Sequence, residues 1–260
     1  MFLGNLNSNT GCNAQTAKHS SKTGSMKHLL CAVLLAFPVL AFYRAASAEE
    51  DLRMLDVSRL PQNGALVSDF APLGWRIEST IPGDLNGDGK PDTILTLIEA
   101  LPAIVDDVPN ERYRALVALL QTATGKLQRV AVAPRLLRCS TCYGMLAGPN
   151  GGEPVIKIIK GVIIVEELWG SRETVHVTLR FRYDPSSNRL ILIGEDINRS
   201  DRATGAHSYE TSNFLTGIKL TEGTQFDAQQ NRLTENSPQK QHIPKIQRFI
   251  EDIDYEDFDR

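Results

Sequence analysis

The residues best suited to chemistry lie in a short segment between positions 83 and 92, which is rich in acidic residues and glycine. It follows the pattern D-x-N-x-D-G-x-x-D, with oxygen-bearing side chains at alternate positions and glycine at the sixth. Ca²⁺ takes six to eight oxygen ligands in flexible geometry and accepts carboxylates, amide oxygens and backbone carbonyls. The pattern therefore predicts a calcium loop whose ligands are Asp84, Asn86, Asp88, the carbonyl of Lys90 and Asp92.

The segments on both sides of this loop favour β-structure. Residues 75–81 alternate between apolar and polar, and residues 93–98 are rich in β-branched side chains. An EF-hand loop would carry a glutamate at position 12 and continue into a helix, whereas this loop has Leu95 there. We therefore expect the loop to join two antiparallel strands. The alternative is a plain turn without an ion, because Asn-Gly and Asp-Gly form turns by themselves.

The N-terminal region is typical of a targeting segment. The first 48 residues contain no acidic residue, and an apolar run from Leu29 to Phe42 precedes an A-x-A sequence that ends at Ala48. This order predicts a secretory signal peptide cleaved after Ala48, and hence a periplasmic or secreted protein. Residues 1–25 are either a long n-region or an upstream mis-start, in which case Met26 is the initiator.

Composition narrows the function classes. After cleavage, 24 basic and 31 acidic residues remain, which gives a formal charge near −7. Without a basic cluster, the chain is a poor candidate for nucleic-acid binding. It contains no second apolar run long enough to span a membrane. We expect one domain over residues 49–224.

Two cysteines remain after cleavage, Cys139 and Cys142, and three interpretations are open. An oxidising compartment favours a local disulfide between them. A thioredoxin-type redox centre is the second interpretation, although a glycine-rich stretch follows the pair instead of a helix. A zinc site is the third, and it would need two ligands from His176, His207 or His242, none of which has a companion spacing.

The rest of the chain predicts a mainly β fold. Short runs of alternating or β-branched residues, separated by turn residues, indicate an antiparallel meander of about eight to nine strands, with short helical segments near the N-terminus. Such a meander forms a twisted sheet, a partial barrel or a small sandwich. Residues 225–241 are polar and are assigned to a linker. The acidic tail up to residue 260 docks on the body, binds a partner or remains disordered.

The strand-loop-strand pattern resembles the calcium loops of FG-GAP and VCBS-type repeat proteins, although this chain has one loop only. Over residues 65–222 the chain also resembles a group of exported bacterial proteins that carry a single calcium loop. The resemblance implies an exported single-domain protein and supplies no catalytic residues. The segments that carry it are Pro72 to Trp75, the Cys139/Cys142 segment, Trp169 to Ser171, Phe181 to Tyr183, Leu192 to Asp196 and Thr211 to Gly217.

A second site is predicted in the polar connection 195–217, where Asp196, Asp201 and His207 are candidate ligand-binding residues. Common hydrolase and phosphate-binding motifs are absent from the sequence, and no catalytic residue is assigned. The favoured function is a non-enzymatic calcium-binding module with Ca²⁺ as its cofactor. The alternative is a hydrolase of cell-envelope polymers, or a protein that binds an envelope glycan or peptide, with the site in residues 195–217.

Overall fold

The computed structural model describes residues 53–146 and 152–259. Within these residues the chain is mainly β, with fourteen strands arranged in antiparallel sheets, which confirms the predicted fold class. The short N-terminal helical segments are 3-10 turns. The predicted signal peptide lies outside the described residues. No helix in the part of the chain that the structure describes is long and apolar enough to cross a membrane.

The strands form two large open sheets and one small hairpin. The first sheet has the order β1-β7-β6-β3-β2, the second has the order β14-β13-β12-β11-β10-β9-β8, and β4 pairs with β5. The strands are β1 (Asn63–Gly64), β2 (Trp75–Gly83), β3 (Asp92–Glu99), β4 (Ile104–Val105), β5 (Val108–Pro109), β6 (Arg114–Gln121), β7 (Leu127–Ala133), β8 (Val155–Ile159), β9 (Val162–Gly170), β10 (Glu173–Asp184), β11 (Arg189–Asp201), β12 (His207–Asn213), β13 (Ile218–Asp227) and β14 (Arg232–His242); the 3-10 turns are Val57–Arg59, Val67–Phe70, Ile250–Asp252 and Tyr255–Phe258.

The first sheet is covered on both faces. One face of β3 and β6 packs against the second sheet, and the other face packs against Leu55, Leu60 and Phe70 from the N-terminal segment. Strands buried on both faces show nearly continuous apolar runs instead of alternation. This explains the largely apolar sequences of β3 and β6, in which every residue except the last is buried.

A β-bulge in β2 changes which face of the sheet its apolar residues point to. The pairing with β3 shifts between Ile77 and Ser79, so Glu78 is the extra residue. Before the bulge, Ile77 packs in the cluster under the N-terminal segment; after it, Ile81 packs in the cluster between the sheets. The simple alternation read from residues 75–81 would have placed both isoleucines on the same face.

Two segments that the composition assigned to loops are strands in the structure. The connection 195–217 consists of the end of β11, a tight turn, β12 and the turn that follows β12. Residues 225–241, assigned to a linker, form most of the hairpin between β13 and β14. Polar residues are compatible with these strands because the hairpin is largely exposed to solvent. In β14, all residues but one are exposed, and that one is partly buried. Low apolar content therefore did not indicate missing structure here.

The acidic C-terminal tail docks on the domain. Ile250, Ile253 and Phe258 are buried in the cluster between the sheets. The backbone of the tail is also bound, since Leu192 N–H donates to the Arg248 carbonyl and Tyr255 N–H donates to the Arg135 carbonyl, at 2.9 and 2.8 Å. The tail is thus an integral part of the core.

Candidate calcium loop and polar clefts

The predicted calcium loop joins β2 and β3, whose last and first residues, Gly83 and Asp92, are paired. The predicted strand-loop-strand hairpin is therefore present. The backbone of the loop has positive φ angles at Gly87 and Gly89, +79° and +80°. Glycine adopts this left-handed conformation without the steric cost that a side chain adds. These two glycines let the nine-residue loop turn back on itself.

The loop is folded around its own oxygen-bearing side chains. The two carboxylate oxygens of Asp84 accept hydrogen bonds from Gly87 N–H and Gly89 N–H, at 2.7 and 2.9 Å. Asn86 Oδ1 accepts from Asp88 N–H, and Asp88 Oδ1 accepts from Lys90 N–H, both at 2.9 Å. These contacts orient three of the predicted ligands relative to the loop backbone.

Asp92 lies at the base of the loop and is fully buried. Its Oδ2 accepts a hydrogen bond from Leu85 N–H, and its Oδ1 accepts one from Gln121 N–H at the end of β6, both at 2.8 Å. Burial raises the pKa of Asp92, while these backbone donors act in the opposite direction. Asp92 therefore attaches the loop to the first sheet in addition to being a predicted ligand.

Asp88 is the most exposed of the three loop carboxylates. The hydrogen bond from Lys90 N–H lowers the pKa of Asp88, so this group is ionised at neutral pH. The Lys90 ammonium lies 3.4 Å from Asp88 Oδ2. Exposed pairs of this kind contribute little energy, so Lys90 is a weak competitor for a divalent cation.

The loop also borders a groove of about 480 Å³. The opposite wall comes from the second sheet and includes Lys160 and Gly161 at the tip of the β8–β9 hairpin, together with Arg182 and Tyr183 on β10. A Cβ at Gly161 would lie 3.5 Å from the Asp84 carbonyl oxygen. The second sheet thus approaches the loop closely and places two cations beside it.

The three loop carboxylates do not all lie within 4.8 Å of one another. Among the described residues, one set of three acidic, histidine or cysteine side chains has ligand atoms that all lie within 4.8 Å of one another. This set is Glu111, Cys139 and Cys142. Cys139 and Cys142 are joined in a disulfide, as favoured from the sequence. None of the three histidines considered as zinc ligands belongs to this set. Glu111, which lies 28 residues before Cys139, was not predicted from the sequence.

The three candidate residues of the second predicted site are not brought together. Asp196 binds Arg180 at 2.7 Å and accepts from the Thr211 hydroxyl at 2.6 Å. Asp201 lies five residues further along β11, roughly 16 Å away at the rise of an extended strand. His207 pairs with Ser200 across the β11–β12 turn and therefore lies near Asp201, not near Asp196.

Asp201 and His207 line a second cleft of about 480 Å³. The Arg172 guanidinium, which donates to both carboxylate oxygens of Asp201, holds the pKa of that carboxyl well below its usual range. His207 Nδ1 lies 3.1 Å from the Thr224 hydroxyl on β13. Most of the remaining lining is polar, including Glu173, Thr174, Arg199, Ser200, Ser208, Gln225, Asn236 and Asp259.

A buried ionic network was not predicted from the sequence. The Arg114 guanidinium binds both oxygens of Glu78, at 2.6 and 2.8 Å, and its third contact is the Arg138 carbonyl at 3.2 Å. Glu167 accepts from the Tyr143 hydroxyl at 2.6 Å and from Arg138 N–H at 3.0 Å, and burial raises its pKa. These contacts span strands that are distant in sequence, and the bulge that turns Glu78 inward has no local signature.

No family model, curated protein or solved structure matches this chain. The resemblance to FG-GAP and VCBS-type calcium-loop proteins accordingly stays a prediction that depends on the loop residues. A function for this protein has to follow from the loop, the clefts and the residues around them.

Proposed function

We propose that this protein is an exported, non-enzymatic calcium-binding module in which Ca²⁺ stabilises the β2–β3 hairpin. The observation that carries the proposal is the hydrogen bonding within the loop, where Asp84, Asn86 and Asp88 each accept backbone N–H groups. A carboxylate or amide oxygen has two lone pairs, so an oxygen that accepts one backbone hydrogen bond retains a lone pair for a cation. Together with the Lys90 carbonyl and Asp92, these side chains would hold the ion.

The electrostatics of the loop support the same proposal. Three carboxylates within nine residues repel one another, and the negative charge of Asp88 contributes to raising the pKa of Asp92. A divalent cation would neutralise this repulsion and favour the folded hairpin. Since Asp92 also binds Gln121 N–H, an ion at the loop would stabilise the junction with β6 as well.

Removing the Asp88 carboxylate is expected to abolish calcium-dependent stabilisation. For a single site, free Ca²⁺ at 100 times its Kd raises the free energy of unfolding by about 2.7 kcal/mol. We expect wild-type protein, residues 49–260, to show a calcium-dependent rise in melting temperature and one site in calorimetry, with a Kd on the order of 10⁻⁵ to 10⁻³ M. Asp88→Ala should show neither, because it removes a proposed ligand whose hydrogen bond from Lys90 N–H and ion pair with Lys90 both lie within the loop.

Asp227→Ala is the matched control for this experiment. Asp227 is also an aspartate at a hairpin end, where it accepts hydrogen bonds from Gln229 N–H and Gln230 N–H, but it lies on β13. This variant should retain the full calcium response. A wild-type melting temperature that is the same in calcium and in chelator contradicts the proposal.

The second cleft supports a second candidate function, binding of a glycan or peptide from the cell envelope. Its lining offers a histidine, hydroxyl groups, amides and charges of both signs, which suit a polar ligand. Hydrolysis has less support than binding. Asp201 stays ionised beside Arg172 and therefore lacks the proton of a general acid, and Asp196 is too far along β11 to act with it.

Replacing His207 with alanine is expected to weaken ligand binding at this cleft by about tenfold, the effect of one or two lost hydrogen bonds. Soluble peptidoglycan fragments are the probe, and the Kd is measured by calorimetry. His176→Ala is the control, since His176 is exposed on β10 and does not line the cleft. Equal Kd values for the two variants, or no heat of binding with wild type, argue against this second function.

A further inference from the structure

The disulfide lies in a cluster that has the composition of a metal site. One carboxylate oxygen of Glu111 and the sulfur atoms of Cys139 and Cys142 all lie within 4.8 Å of one another. The Glu111 side chain is 45% exposed and Cys142 is half-buried, so solvent reaches the cluster, whereas Cys139 is fully buried. The cluster is well separated in sequence from the proposed calcium loop and shares no residue with it.

Backbone contacts hold the two halves of the cluster together without help from the sulfur atoms. Ser140 N–H donates to the Arg112 carbonyl at 3.0 Å, and Arg112 N–H donates to Ser140 Oγ at 3.1 Å. The Ser140 hydroxyl in turn donates to the Asn110 carbonyl at 2.9 Å. These three hydrogen bonds fix the turn between the cysteines against residues 110–112. None of them uses a sulfur atom, so breaking the disulfide removes none of the donors or acceptors.

We propose that reduction of the Cys139–Cys142 disulfide converts this cluster into a zinc site formed by two thiolates and the Glu111 carboxylate. A dithiol reductant supplies two electrons and two protons, becomes a disulfide itself, and leaves two cysteine thiols. Zinc binding then releases the two thiol protons to solvent, since the thiolate is the metal ligand. The disulfide and the metal site exclude each other because they use the same two sulfur atoms.

The chemistry of the three ligands selects zinc. Thiolate ligands favour Zn²⁺ over Ca²⁺ and Mg²⁺, which bind oxygen ligands. Zn²⁺ is bound tetrahedrally by cysteine sulfur at about 2.3 Å and carboxylate oxygen at about 2.0–2.2 Å, so the two sulfur atoms of a site lie about 3.8 Å apart. The turn that joins Cys139 and Cys142 is short enough for their sulfur atoms to reach this separation once the disulfide is broken. Three protein ligands leave the fourth position to water or to a further ligand.

Arg53 is the group that competes with the metal for Glu111. Its guanidinium donates to Glu111 Oε1 at 2.9 Å and to the Glu111 carbonyl at 3.0 Å. It also binds Glu99, at 2.7 Å. Arg53 therefore keeps a carboxylate partner and a carbonyl partner when the Glu111 carboxylate coordinates a cation.

The test is a zinc titration of residues 49–260 in the oxidised state and after reduction with a phosphine, with a chromogenic chelator as competitor. We expect one zinc equivalent per reduced chain and none per oxidised chain. Cd²⁺ titrated in parallel should produce the ultraviolet absorption of thiolate-to-metal charge transfer. In reduced Glu111→Gln the zinc affinity should fall about tenfold or more, because loss of an outer-shell partner alone typically reduces metal affinity 10–100-fold.

Glu99→Gln is the matched control, since it removes the other carboxylate partner of Arg53 and leaves all three proposed ligands intact. It should bind zinc as wild type does. Equal affinities for reduced Glu111→Gln and Glu99→Gln overturn the role of the carboxylate. The proposed site is overturned if reduced wild type binds zinc no more strongly than the variant that carries both Cys139→Ser and Cys142→Ser. If reduction lowers the melting temperature, zinc should restore it in wild type but not in Glu111→Gln, and absence of restoration also overturns the proposal.

Discussion

Replacing Arg114 with leucine is expected to lower the free energy of unfolding by about 3–5 kcal/mol, the effect of breaking a buried ion pair from one side. Arg114 is 1% exposed and donates to both carboxylate oxygens of Glu78, with a third hydrogen bond to the Arg138 carbonyl. Leucine fills part of the space but leaves the Glu78 carboxylate without its partner in the interior. An uncompensated buried charge is more costly than the loss of the attraction itself.

Urea unfolding measured by circular dichroism gives this change, provided that the slope with urea stays constant. Two further variants separate charge from packing. Glu78→Leu combined with Arg114→Leu should recover much of the lost stability, because a well-packed apolar pair often replaces a buried ion pair without loss. Lys157→Leu breaks an exposed cross-strand pair with Glu166 and should change stability by at most about 1 kcal/mol. An Arg114→Leu effect as small as that of Lys157→Leu contradicts the expected cost.

Replacing Ile253 with alanine is expected to cost about 2–5 kcal/mol, the usual range for a large-to-small change in a packed core. Ile253 is 1% exposed and belongs to the cluster between the two sheets, although it lies in the acidic tail. Removing its side chain leaves a cavity beneath the tail. The tail itself is held by ion pairs between Arg189 and Glu251 and between Arg135 and Asp254, so we expect it to collapse only partly into that space.

The same tail provides a control of identical chemistry. Ile246 is 65% exposed, and Ile246→Ala should change the free energy of unfolding by no more than about 0.5 kcal/mol. Both variants are measured in urea at neutral pH. Equal effects for the two isoleucines would mean that the tail does not belong to the cooperative unit. A large difference would show that the tail belongs to the cooperative unit through the core contacts of Ile253.

The C-terminal tail also contributes to the second cleft. Arg199, which lines the second cleft, donates to the Phe258 carbonyl at 3.0 Å, and Asp259 is part of the lining of that cleft. The proposed calcium loop shares no lining residue with this cleft and is attached to β6 through Asp92. Truncations of the tail should therefore be avoided in binding experiments at the second cleft.

The sequence alone was sufficient for the fold class and for the strand-loop-strand hairpin around Asp84 to Asp92. Both depend on local signals. Alternating and β-branched runs favour strands, and the glycines of the loop permit the positive φ angles of its turn. The disulfide favoured from the sequence also depends on a local signal, because Cys139 and Cys142 lie within one turn.

The tertiary structure alone decided which distant groups meet. Glu78 reaches Arg114 because one extra residue in β2 changes the face of the sheet on which its side chains lie, and a bulge has no unique sequence pattern. Glu111 lies beside Cys139 because three hydrogen bonds align two segments separated by 28 residues. Composition was misleading at 225–241, which is a polar strand pair held by backbone hydrogen bonds. It left the state of the acidic tail open, and the structure places Ile250, Ile253 and Phe258 of that tail in the core between the sheets. Such contacts depend on where the chain returns in space, a property that no window of local sequence contains.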